Sequence, residues 1–242
     1  MAIVQKIFQR DGLANRLLLS LPPATLARLM SQLEPVPTKS RQVIDHLGDP
    51  IRYLYFVNGG LVSLVKTMRD GRTVEIGAIG IEGITDPNAL FGEIDNAILE
   101  AVVQVPGALL RIERAALRRE MDADEALKGM VRGYIHFYLN QIIQTAACNR
   151  LHALEERCCR WLLLAHDSAL SDSFPLTHEF LAMMLGVQRA GVTIAASFLQ
   201  RAGLIHYTRG HVTVTDRAGL EDAACECYGA LHAELDRLFK VH

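Results

Sequence analysis

Gln188, Arg189 and, one helical turn later, Thr193 are the polar residues of this 242-residue chain best spaced to act on a ligand. A carboxamide, a guanidinium and a hydroxyl on one side of a helix start offer hydrogen bonds to the edges of nucleic-acid bases. The elements that must position them lie on either side. Thr177 to Val192 reads as a helix-turn-helix: small Ala182 lets two helices approach closely, and Gly186, four residues on, permits a left-handed turn. Leu181, Leu185, Val187 and Val192 mark the buried side of both helices. The second helix is predicted from near Gln188 to about Arg201, with Gln188, Arg189 and Thr193 on its outer N-terminal face. That face enters the major groove in this class of motif. An ordinary helical hairpin shares the spacing, so the flanking sequence decides between them.

Gly203-Leu204-Ile205 ends the second helix and opens a strand, and His206 to Thr215 is predicted to be a hairpin turning at Arg209-Gly210. Two helices followed by a hairpin make a winged helix, whose wing brings Arg209, His206 and His211 towards DNA phosphates. From Thr177 to Thr215, Arg189, Arg201 and Arg209 stand against Glu179 alone. This is a local phosphate footprint in a chain whose net charge is -2, and a generally basic nucleic-acid binder is not indicated.

At 242 residues, half hydrophobic and 21% charged, the chain can bury one large core or two small ones. No run of about 18 uncharged apolar residues suggests a membrane span, and Met1 to Arg10 lacks the marks of a signal peptide, so a cytoplasmic protein is expected. The five cysteines are Cys148, Cys158, Cys159, Cys225 and Cys227. Their spacing matches no zinc finger or ribbon, and on a helix Cys225 and Cys227 would point to different sides. They are read as buried reduced thiols, with redox sensing as the alternative, and no metal ligands are expected.

The front half opens with a helical pattern from Leu13 to Met30, which changes near Pro35-Val36-Pro37. Short strand-like runs follow: 41–46, 53–57, 61–67, 73–79, 101–105 and 108–112, separated by turn signals such as Asn58-Gly59-Gly60 and Pro106-Gly107. They predict a β-roll able to enclose a small ligand. Asp124 to Cys148 then carries Leu127, Met130, Val131, Tyr134, Ile135, Tyr138, Ile142 and Thr145 at helical spacing. A helix of about 25 residues spans roughly 37 Å, longer than a compact domain needs, and its stripe suits an intersubunit seam. Packing on its own roll is the alternative, and the two are compatible on different faces of the helix. A further helix, Leu151 to His166, leads through a loop from Asp167 to Pro175 into the helix-turn-helix.

A β-roll, a long helix and a winged helix in this order resemble the Crp/Fnr family of bacterial transcription regulators. The resemblance runs from about Leu17 to Leu220 and is carried by the segment Tyr53 to Val62, by Leu181-Ala182, Leu185-Gly186-Val187 and Val192, and by the exit from Leu199 to Ile205. It implies an α+β chain in three parts: residues 1–121 as a sensor-like antiparallel roll, 122–150 as a dimerisation helix, and 151–242 as a winged helix-turn-helix. It further implies a homodimer on a palindromic operator, RNA polymerase among the partners, no membrane and no catalytic activity. The DNA-contacting positions fall on Thr177, Gln188, Arg189, Ala190, Thr193 and Arg209. Arg189 is placed to pair with guanine, whereas Ala190 stands where cyclic-AMP-responsive members often carry Glu, so a different sequence is expected to be read.

Family receptors of cyclic nucleotides use a Gly-Glu-Leu segment for the ribose and an arginine for the phosphate. Gly92-Glu93-Ile94 resembles the first, but the strand register favours the segment from Gly80 to Ile84, making Glu82, Gly83 and Ile84 the expected pocket residues. The phosphate position then falls near Asp95, whose carboxylate repels a phosphate. Cyclic-nucleotide binding is therefore not expected, no cofactor is assigned, and the effector is unidentified. No cysteine precedes Cys148, unlike the iron–sulfur members, and a single early histidine, His46, reads as structural rather than as a haem or metal ligand. The expectation is a DNA-binding transcription regulator. The alternatives are a small-molecule or redox sensor whose roll or cysteines gate DNA binding, and a β-roll protein that does not bind DNA.

Overall fold

The computed structural model describes residues 12–92 and 95–240. Met1 to Arg10, and Glu93 and Ile94 of the Gly92-Glu93-Ile94 segment, lie outside the described residues. The front half is built from strands β1 (Glu34–Pro37), β2 (Val43–Asp45), β3 (Tyr53–Val57), β4 (Leu61–Thr67), β5 (Thr73–Ile79), β6 (Glu100–Val105) and β7 (Ala108–Glu113). They form two antiparallel sheets, ordered β1-β7-β3 and β2-β6-β4-β5. Strand β1 falls where the sequence shows only a break in pattern. Two prolines weaken it as a sequence signal, yet β1 is an edge strand, where a missing N–H costs no ladder bond.

The opening helical segment is broken into α1 (Arg16–Leu19) and α2 (Pro23–Met30), because Pro22-Pro23 cannot continue a helix from the turn before. Asn15 caps α1 through Leu18 N–H and donates to the carbonyls of Val57 and Gly83, pinning the helix to the roll. Helix α3 (Arg114–Ala123) leads into α4 (Glu125–Leu151), about 40 Å long at 27 residues. Asp124 caps α4 by accepting from Ala126 and Leu127 N–H, while Thr25 and Arg28 hold its other oxygen. The Thr25 hydroxyl, with these N–H groups and Arg28, lowers the Asp124 carboxyl to about 2.

The apolar stripe of α4 is packed inside the chain. Leu127, Met130, Val131, Tyr134, Tyr138 and Thr145 are buried, most of them against the roll, so the stripe expected to be an intersubunit seam is mainly intrachain core. Helix rotation separates two faces: Ile135 and Ile142 lie at the edge of the packed stripe and border an exposed face with Leu139 and Ile143.

His152 and Ala153, both extended, join α4 to α5 (Leu154–Ala169). The winged helix follows as β8 (Ser173–Pro175), α6 (His178–Leu185), α7 (Arg189–Arg201), β9 (Ile205–Thr208) and β10 (His211–Val214). Strand β8 lies in what the sequence presents as a loop. It pairs with β10, making the wing three-stranded in the order β8-β10-β9. After α8 (Arg217–Asp222), helix α9 (Cys227–Lys240) leaves the winged helix and returns to the front half, where Leu231 and Leu235 join the core of the roll and α4. Residues 151–242 are therefore not all part of one DNA-binding unit. Among the described residues no single helix is long and apolar enough to cross a membrane.

Candidate DNA interface

Thr177 starts α6 by accepting the Phe180 N–H at 3.2 Å. Gly186 ends it at φ 64°, and the N–H of Val187 returns to the Ala182 carbonyl at 3.0 Å, so the chain reverses tightly. Helix α7 then crosses α6 at 110°. Val192, Ala195, Ala196 and Leu199 bury one side of α7, leaving Arg189, Ala190, Thr193, Ile194, Ser197 and Phe198 on the exposed side. The wing turns at Arg209 and Gly210, with φ 48° and 81°, the pair of positive angles that a two-residue hairpin requires.

Three contacts join α6, α7 and the wing into one face. His178 Nδ1 lies 3.1 Å from the Thr193 hydroxyl, and the His178 ring packs 4.4 Å from that of Tyr207 on β9. The Gly210 carbonyl at the wing turn accepts the Leu176 N–H at 2.8 Å, just before Thr177. Thr193, half-buried Thr177 and exposed Arg209 are thereby gathered around the N-terminal ends of two helices, where N–H groups and helix dipoles favour phosphate. His178 and Tyr207 are organising residues not anticipated from the sequence; no local spacing links 178 to 207. Desolvation, with the nearby charge of Arg189, lowers the His178 ring pKa below its ordinary value, favouring the neutral form that bonds Thr193.

Arg189 and Ala190 are exposed as expected. Gln188 is exposed at the start of α7, but it also borders a cleft of about 770 Å³ shared with Met68, Arg72, Val74 and Met183. The cleft exists because α6 docks on the roll. Arg41 donates to the Thr177 hydroxyl at 3.3 Å and lies over the Phe180 ring at 5.3 Å. Gln104 reaches the Met184 sulfur at 2.9 Å. Leu61, Val65, Ala78 and Val105 of the roll share one core with Trp161, Leu181 and Leu185.

The expected effector segment forms a tight turn packed against Tyr134 of α4. Gly83 closes a turn onto the Gly80 carbonyl at 3.1 Å, and a Cβ there would collide with the Tyr134 hydroxyl. Ile84 is core, and neither residue lines the cavity that Glu82 borders. Glu82 accepts the Gly80 N–H at 2.8 Å; burial raises its carboxyl pKa. The cavity measures about 60 Å³ and is closed by Leu231, His232 and Leu235 of α9. Ligand pockets ordinarily need roughly 300 Å³ or more. Asp95 is exposed and paired with Arg114 at 2.7 Å. His46 is exposed just past β2, where the turn to Gly48 begins.

Residues 35–124 match the cyclic nucleotide-binding domain, and residues 156–223 match the Crp-like helix-turn-helix domain. The chain belongs to the Crp/Fnr family of transcription regulators. Solved structures carry the same fold. FixK2 from Bradyrhizobium japonicum is 16% identical, with a TM-score of 0.66 over 80% of this chain and 98% of that one. A CRP-family regulator from Thermus thermophilus is 24% identical, with a TM-score of 0.64 over 78% and 96%. The c-di-GMP-responsive regulator CLP from Xanthomonas campestris is 20% identical, with a TM-score of 0.61 over 80% and 99%. No curated protein matches the chain. The family is one of DNA-binding regulators, not of enzymes.

All five cysteines are buried free thiols, as read from the sequence, but two of them are placed differently. Cys225 precedes α9 and Cys227 opens it, so the two do not occupy i and i+2 of one helix. Both face Cys148 in a small buried cluster.

Proposed function

We propose that this chain binds a palindromic DNA site as a homodimer and regulates transcription there, without control by a cyclic nucleotide. The supporting observation for DNA reading is the joint face of Arg189, Thr193, Thr177 and Arg209, assembled by His178 and Tyr207. Arg189 is the base reader, suited to bidentate pairing with guanine, and Arg209 binds phosphate from the wing. Ala190 adds little hydrogen-bonding capacity, and RNA polymerase is the partner that a bound regulator would recruit or block.

Dimerisation is assigned to the exposed face of α4. Ile135, Leu139, Ile142 and Ala146 recur at intervals of four, three and four, with Ile143 alongside. Leu139 and Ile143 are 54% and 57% exposed. This is heptad spacing, and two copies would pair it as a coiled coil. Each half-site then receives one α7, about 34 Å from the other.

The absence of cyclic-nucleotide control is supported by the 60 Å³ cavity, its closure by α9, and the outward-facing Asp95–Arg114 pair. Regulation would act on the contact between roll and α6, where a shift between docked and released winged helices changes DNA affinity. Chromosomal DNA as ligand goes with a cytoplasmic location.

The test is selection of binding sites from a randomised DNA pool by the purified full-length protein, with and without cyclic AMP. An inverted repeat with half-sites about 10 base pairs apart, enriched equally in both conditions, is the expected result. Enrichment only with the nucleotide would overturn the effector reading. No enrichment under either condition would overturn effector-independent DNA reading.

A further inference from the structure

Cys148, His152, Cys225 and Cys227 place their sulfur and nitrogen atoms within 4.8 Å of one another, the only such group of candidate metal ligands among the described residues. Cys148 and His152 lie one turn apart at the end of α4. Cys225 and Cys227 come from the turn between α8 and α9, 77 residues from Cys148 in the case of Cys225. The Cys148 and Cys225 sulfurs are 3.6 Å apart, and the Cys227 sulfur is 3.5 Å from His152 Nδ1. A tetrahedral ion with metal–sulfur bonds near 2.3 Å and metal–nitrogen bonds near 2.05 Å has sulfur–sulfur edges of ~3.8 Å and sulfur–nitrogen edges of ~3.6 Å. The Cys148–Cys225 and Cys227–His152 edges, at 3.6 and 3.5 Å, are close to these lengths, and the other edges fall within 4.8 Å. They are too long for a disulfide, whose sulfurs are about 2.05 Å apart, and ligands this close suit one ion better than a polynuclear cluster.

We propose that these four residues bind a single zinc ion as a Cys3His site. Thiolate and imidazole donors select a borderline-soft divalent metal over magnesium or calcium. The surroundings are those of a ligated site. Gln144 Nε2 donates to the Cys227 sulfur at 3.0 Å, and the Nδ1 of His152 faces the sulfurs while its Nε2 lies on the side of Glu226, 3.8 Å away. Three thiolates and one zinc carry a net charge of -1. Arg157 and Arg160, both buried, stand close enough to offset it. Binding replaces thiol protons, which pass to solvent; no electron moves.

The ion would tie three segments together: the end of α4, the two-residue joint into α5, and the start of α9. It would thereby restrain the angle between the long helix and the winged helix. That consequence rests on the regulatory reading above, whereas the metal site itself does not.

Full-length protein purified under reducing, chelator-free conditions is to be analysed for zinc, then loaded with cobalt and examined by visible absorption. Expected are one zinc per chain and the intense bands of tetrahedral thiolate-bound cobalt, lost in Cys225→Ser and Cys227→Ser. Cys158→Ser, away from the cluster, retains both signals. Far-UV circular dichroism identifies folded variants, and His152→Gln, which leaves every thiol in place, must weaken the cobalt bands. Folded, reduced wild type holding less than about a tenth of an equivalent of zinc after loading overturns the proposal. So do cobalt bands unchanged in folded Cys225→Ser and Cys227→Ser. The readout involves no DNA, so a failure of the DNA-binding reading leaves the result intact.

Discussion

The indole N–H of Trp161 on α5 donates to the Glu75 carboxylate on β5 across 3.3 Å, joining the winged-helix half to the roll at a buried acid. The Ser63 hydroxyl bonds the same oxygen. Burial raises the Glu75 carboxyl, while Ser63, Trp161 and the charge of Arg160 oppose that shift. A buried carboxylate is tolerable only where donors converge on it, so these residues fix how α5 sits on β4 and β5.

Trp161→Phe keeps most of the ring and removes one donor. It should lower stability by about 1–2 kcal/mol, read by urea denaturation at pH 7. Glu75→Gln should be milder at high pH than at low pH, because a carboxyl with a raised folded-state pKa contributes least stability when ionised. An equal effect of Glu75→Gln across pH 5–9 would contradict the buried-acid account.

Asp45 offers a second pH test. Desolvation, with the charges of Asp86 and Asp49, raises it to about 7; burial raises Asp86 to about 6. Each has one oxygen without a partner among the described residues. The folded protein holds these protons more tightly than the unfolded chain does, so their stabilisation is present at low pH and lost as pH climbs towards 7. Asp45→Asn should therefore raise the melting temperature at pH 8, by an amount corresponding to about 1–3 kcal/mol, and change it little at pH 4.5. Melting curves that shift equally at both pH values would count against it.

The parts legible in the sequence are those whose signal is local. Strands β3, β4 and β5 have the limits expected from Tyr53–Val57, Leu61–Thr67 and Thr73–Ile79, because turn residues bracket each run. Gly186 and Arg209-Gly210 fixed the two reversals of the winged helix through positive φ. What escaped notice depends on distant chain. Strand β8 is three residues long and exists through its pairing with β10. The return of α9 onto α4, which closes the cavity beside Glu82, is decided by tertiary packing of Leu231 and Leu235. Cys148 and Cys225 could be associated only once that return is known.

The two arginines of the DNA face should behave differently. Arg189→Ala removes a base contact and should weaken binding to the selected site by about 1–3 kcal/mol, relaxing the preference at one position. Arg209→Ala removes a phosphate contact, so it should weaken all sequences alike and reduce the salt slope by about 1. Fluorescence anisotropy at several salt concentrations, on specific and scrambled duplexes, separates the two. Identical salt-dependent losses for both variants would argue that Arg189 also serves only the backbone.

Leu139 and Ile143 test the dimer without disturbing the fold. Both point away from the roll, while Tyr134, Tyr138 and Thr145 secure α4 from the other side. A charge at either position therefore meets water in the monomer and costs about 0.5 kcal/mol or less. Across a coiled-coil seam it meets its own copy, where like charges and lost apolar burial combine. Leu139→Glu with Ile143→Glu should yield a monomer in sedimentation equilibrium, with a far-UV spectrum like that of the wild type. Its DNA affinity should fall by far more than either arginine substitution causes, because each half-site would be held by one winged helix alone and the gain from linked binding disappears. A double variant that remains dimeric would move the interface off this face of α4, and with it the argument for two recognition helices one DNA turn apart.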